Sequence, residues 1–206
     1  MRAFLTLALL AASPAFAEPL DVTGYFTGCD AEGDPIYCYV TAQGANFLIS
    51  SDGGAPAEVF AALEALPVAT AVRLQGSFEF VGDVTAEAAV TGFTRVADDP
   101  YEGNLQAMQG AWTPVGEATP FRIEILGLDW VEFTQDELTD SFMMSPGAVC
   151  AHGIDPGGGM AVSLYRYGDD PEDDGCWLVE AVEGDSLILR DFKGEQGQIT
   201  LSRFAE

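Results

Sequence analysis

The chain has 206 residues, 48% hydrophobic and 11% aromatic, with 8 Lys+Arg against 33 Asp+Glu and a formal net charge of −25. So acidic a surface repels polyanions and excludes a phosphate-binding nucleic-acid module, while the aromatic content and a charged fraction of only 20% exclude an intrinsically disordered chain. The acidity reads first as a solubility feature and second as an attraction for cationic partners.

Residues Met1–Ala17 have the form of an export signal: Arg2 in the n-region, an apolar run from Ala3 to Ala12, and Ala15-Phe16-Ala17 as a cleavage site, so the mature chain is expected to begin near Glu18. The first cysteine after that point is Cys29, too far along to carry a lipid, and a soluble periplasmic or secreted protein is expected. Four cysteines in such a compartment point to two disulfides rather than a redox or metal centre. Three pairings are open; Cys29 with Cys38 and Cys150 with Cys176 is favoured because each pair falls inside one proposed domain.

From Asp21 to Thr27 and from Ile36 to Thr41 the chain is rich in β-branched and aromatic residues, and the turn-forming run Asp30–Pro35 between them predicts a hairpin. Ala45–Ser50 reads as a third strand. Ser51-Asp52-Gly53-Gly54 breaks it, and a helix follows with Pro56 in its first turn, Val59, Leu63 and Leu66 on one face beside Phe60, and Pro67 as its stop. Val72, Leu74, Gly76, Phe78 and Phe80 then alternate with Arg73, Gln75, Ser77 and Glu79, a strand of period two. After a turn at Gly82-Asp83 a fifth strand spans Ala88–Val96, with a bulge expected at Gly92. This order, three strands, a helix and two strands, resembles that of the OB-fold, which implies a small five-stranded barrel over residues 18–97.

Residues 98–104 read as a linker, and from Leu105 onward no helix is expected. Strands are predicted at Met108–Thr113, Phe121–Leu126, Asp129–Thr134, Glu137–Phe142, Met160–Tyr167, Cys176–Val182, Ser186–Asp191 and Gln198–Arg203, a meander suited to a closed barrel over residues 105–206. Gly110 and Trp112 on the first of these strands, with Arg203 on the last, resemble the Gly-x-Trp motif and closing arginine of lipocalins and their calycin relatives. The resemblance implies a guanidinium packed across the indole at one end of the barrel. In its parts alone the pair of domains also resembles two-domain envelope stress lipoproteins that sense copper; here the domain order is reversed and the lipid anchor and CxxC motif are missing, so copper sensing does not carry over. The expected fold class is therefore mainly β, with an OB-fold-like N-terminal barrel and a lipocalin-like antiparallel C-terminal barrel.

Chemical constellations are sparse. His152 is the sole histidine, and with no G-x-S-x-G elbow nearby a hydrolase built on it is the least favoured reading. Met143, Met144, His152 and Met160 offer soft-metal donors, but flexible gap-filling in a core explains the methionines better. The acidic run Asp169–Gly175 fits a solvated hairpin tip rather than an EF-hand, because Ala181 stands where the bidentate glutamate belongs. Neither catalytic residues, nor cofactor, nor metal is assigned. The strongest surface candidate is the hairpin carrying Asp30, Asp34, Tyr37 and Tyr39, since alternation places both tyrosines opposite Ile36, Cys38 and Val40. The leading expectation is a non-catalytic, exported envelope protein that binds a cationic or envelope protein partner, with no nucleic acid and no membrane span. The alternative is a carrier that holds a small molecule inside the C-terminal barrel.

Overall fold

The structure, a computed structural model, describes residues 17–116, 120–150, 158–167, 175–192 and 197–204. Met1–Phe16 of the proposed signal, His152 and the acidic residues Asp169–Asp174 lie outside the described residues. None of the described helices is long and apolar enough to cross a membrane.

Strands β1 (Glu18–Asp30), β2 (Tyr37–Ala42), β3 (Ala45–Ser50), β4 (Thr70–Phe80) and β5 (Thr85–Arg95) close into a barrel in the order β1-β2-β3-β5-β4. All neighbours are antiparallel except β3 and β5, which run parallel from Asn46↔Thr85 to Leu48↔Glu87. Period-two alternation fills the interior, with Phe26, Cys38, Val40, Phe47, Ile49, Leu74 and Val90 all buried. Helix α1 (Ala57–Glu64) covers one end through buried Phe60 and Leu63, with Val59 and Leu66 half-buried beside them. The bulge expected near Gly92 lies at Thr91, where the register jumps between Gln75↔Gly92 and Gly76↔Val90.

Two features of this barrel depart from expectation. β1 is longer than its β-rich stretch, because its first part pairs with β4 (Glu18↔Phe78 to Phe26↔Thr70) and its last with β2 (Tyr25↔Thr41 to Asp30↔Tyr37). Phe80 does not join the inward face of β4. It is 50% exposed, because the β4–β5 hairpin projects past the end of the barrel, and an edge-to-face relay from Phe47 through Phe78 links its ring to the core.

The second barrel is an up-and-down meander of β6 (Gly110–Pro114), β7 (Phe121–Leu126), β8 (Asp129–Thr134), β9 (Glu137–Gly147), β10 (Met160–Arg166), β11 (Gly175–Glu183), β12 (Ser186–Asp191) and β13 (Gln198–Arg203). It is antiparallel throughout and closes through β13 and β6, whose last rung is Arg203↔Trp112. Trp112, Ile123, Ile125, Trp130, Phe142, Met144, Met160, Val162, Leu164, Leu187, Leu189 and Leu201 form one core cluster along its interior. Met144 and Met160 are core residues, and Met143 is buried as well.

The expectation of no helix beyond residue 105 is overturned by α2 (Glu102–Met108), which begins inside the segment read as a linker. Gly103 and Asn104 are poor helix formers, so propensity conceals it. Tertiary burial wins: Leu105 and Met108 are fully buried against the end of the second barrel, and the Asp99 carboxylate accepts the Tyr101 and Glu102 amides at 2.9 and 2.8 Å.

The sulfur atoms of Cys29 and Cys38 lie 1.98 Å apart on directly paired positions of β1 and β2, and those of Cys150 and Cys176 lie 1.84 Å apart. Two disulfides point to an oxidising, non-cytoplasmic compartment.

Candidate functional site

The outer wall of β1–β2–β3 faces the outer wall of β8–β9 and the end of β10, and a cleft of ≈ 750 Å³ separates them. Alternation creates both walls. In the first barrel Cys38 and Val40 point inward, leaving Tyr37 and Tyr39 half-buried on the outside; in the second, Trp130 points inward and leaves Asp129 and Val131 outside. Thr27, Cys29, Asp30, Tyr39, Thr41 and Asn46 line the first wall, Leu126, Asp129, Val131, Ser141 and Tyr167 the second, and Val68 contributes from the loop before β4.

The walls face each other closely at two places. Gly127, in the tight turn between β7 and β8, has φ +63°, and a Cβ there would fall 2.6 Å from Thr27 Cβ and 2.9 Å from its backbone, so only glycine permits this approach. The Gln109 side chain fastens the same turn, accepting from the Gly127 amide at 2.7 Å and donating to the Gly127 carbonyl at 3.1 Å. At the second place two hydrogen-bonded pairs line opposite walls: Thr41 donates to Asn46 Oδ1 at 2.6 Å on the first, and Tyr167 donates to Asp129 Oδ1 at 2.5 Å on the second. Tyr25 adds a third tie, packing against the second barrel's core while its hydroxyl donates to Asp99.

Burial and the hydrogen bond to Asp129 raise the Tyr167 phenol above its ordinary value of 10, with the Asp129 charge adding to both and Asn46 opposing. Burial, then the Asp30 carboxylate, raises Tyr39 in the same direction. Both phenols therefore stay protonated and remain hydrogen-bond donors at neutral pH. The cleft thus offers neutral hydroxyls, an amide, two carboxylates and an apolar strip, groups suited to holding a ligand.

The structure divides the sequence-predicted surface. Asp30 and Tyr39 line the cleft, whereas Tyr37 lines a neighbouring groove of ≈ 260 Å³ with Leu48, Ser50 and Glu87, and Asp34 is exposed in the β1–β2 loop. Asn46, Asp129, Val131 and Tyr167 were not legible as site residues, because alternation reveals that they face outward but not what they face. Gly110, Trp112 and Arg203 come together away from the cleft: the Arg203 guanidinium carbon lies 4.0 Å from the Trp112 ring centre, and its nitrogens donate to the Ala107 carbonyl at 2.8 Å and to that of Gln109. Compared with known proteins, the chain matches no family model, no curated protein and no solved structure.

Proposed function

We propose that this chain is an exported, non-catalytic envelope protein that binds a partner protein in the cleft between its two barrels. The observation that carries the reading is the cleft itself: an open space of ≈ 750 Å³ between two closed barrels, each with its own apolar core, with tyrosines and the exposed Leu126 on its walls. Exposed aromatic and aliphatic groups with polar neighbours are the composition of binding surfaces. The two disulfides and the signal-like Met1–Ala17 support export to the periplasm or beyond. The strand order β1-β2-β3-β5-β4, with a helix between the third and fourth strands, supports an OB-fold-like first domain, and the eight-strand meander with Trp112 under Arg203 supports a calycin-like second one.

Val131→Trp would fill the cleft from an outward-facing strand position without touching either core. The protein and this variant are each immobilised and exposed to an envelope extract, and the captured proteins are compared. A partner retained by the native protein and lost from a folded Val131→Trp variant is the expected result; capture that is indifferent to the substitution overturns the assignment to the cleft.

A further inference from the structure

The cleft's chemistry is one-sided. Asp30 stands on one wall and Asp129 on the other, and no Lys, Arg or His is among the lining residues. Each wall also carries a tyrosine, Tyr39 and Tyr167, and Val68, Leu126 and Val131 supply apolar surface to the same cleft, with Leu126 68% exposed.

A lysine or arginine side chain answers each of these groups. Its alkyl stem covers apolar surface while the head reaches a carboxylate, and the negative face of a tyrosine ring attracts the cation. The formal net charge of −25 draws such a partner in and repels acidic ones. Size separates a polypeptide from a small cation, since a lone ammonium group occupies a small part of ≈ 750 Å³ and leaves the apolar strip wet. Resting on the cleft reading above, we propose that the occupant is a basic segment of a partner polypeptide, whose Lys or Arg side chains pair with Asp30 and Asp129 between the two tyrosines.

Labelled oligolysine, titrated at physiological salt and followed by fluorescence anisotropy, tests this beside oligoglutamate and choline. Oligolysine is expected to bind and the other two are not. Asp30→Asn with Asp129→Asn should weaken oligolysine binding about tenfold or more, the loss of two paired charges. Glu79→Gln with Asp83→Asn removes the same formal charge from exposed positions on the β4–β5 hairpin, outside the cleft, and should weaken it less than about twofold. Circular dichroism confirms that both double variants are folded. Equal losses in the two would mean attraction to the overall charge and would overturn the proposal, as would absence of oligolysine binding or binding of choline in its place. The two readings fail separately: a partner whose capture Val131→Trp abolishes, but which oligolysine does not displace, leaves the cleft reading standing and removes the basic-segment assignment.

Discussion

The Arg203 guanidinium ties three parts of the second barrel together. It stacks on Trp112 of the first strand, donates to the last carbonyls of α2, and occupies the space that any side chain at residue 110 would need. Trp112 reinforces the same junction by donating its indole N–H to the Met108 carbonyl at 2.7 Å. Charge-assisted hydrogen bonds contribute about 1.5–3 kcal/mol and a cation–π contact about 0.5–2 kcal/mol, so Arg203→Ala is expected to cost about 3 kcal/mol in urea unfolding. Arg203→Lys should recover less than half of that, because an ammonium lacks the planar fork. Gly110→Ala should destabilise as well, since Gly110 has φ +108° and the added Cβ would lie 2.8 Å from Arg203 Nη1. Glu132 provides a pH test of a different kind. Burial, above all, lifts its carboxyl above the ordinary 4.5, with Asp140 adding to the effect and the Trp130 indole and Arg166 opposing it. A carboxyl raised in the folded state keeps its proton more tightly than in the unfolded chain, so its ionisation lowers stability as pH rises past 4.5, and the loss is complete above the folded-state value. Glu132→Gln, which preserves the 2.9 Å acceptor for Trp130 Nε1, should therefore raise Tm at about pH 7 and leave it nearly unchanged below about pH 4.

At the scale of elements, strands were the most legible feature. β3, β7, β8, β12 and β13 begin and end where their alternation does. That success has a local cause, because a strand buried on one face writes period two into its own residues. α2 was not legible, since its seven residues draw their stability from the barrel end that Leu105 and Met108 cover rather than from their own propensity. Nor was the first part of β1, where Glu18 and Pro19 extend only because β4 lies alongside. The two disulfides differ in the chain they enclose, with sequence separations of 9 and 26. If restriction of the unfolded chain dominates, replacing Cys150 and Cys176 by Ala should cost about 1 kcal/mol more than replacing Cys29 and Cys38, read by urea unfolding. An equal or reversed cost would place the difference in native packing around Cys38, which is fully buried in the first core.

Across the whole molecule, the two barrels are joined by contacts rather than by sequence proximity. Ala69 belongs to the core of the second barrel although it immediately precedes β4 of the first, and Val68 and Tyr25 pack beside it. This shared apolar surface should make unfolding a single calorimetric transition. Gly127→Ala drives a Cβ against Thr27 and should separate the walls, splitting the transition in two or lowering Tm by several degrees; an unchanged thermogram would mean that the turn yields without consequence.

The chain's own residues settle where most of the strands run, that the tyrosines of β2 turn outward, and that arginine and tryptophan are available for closure, because each of these follows from alternation or residue chemistry within a few positions. Which outer wall meets which was decided only in three dimensions. An outward-facing residue such as Asp129 or Tyr167 carries the same pattern whether it meets water or another barrel, and it is the close approach of Gly127 to Thr27, with Tyr25, Val68 and Ala69 packed against the second core, that brings the walls together into a cleft.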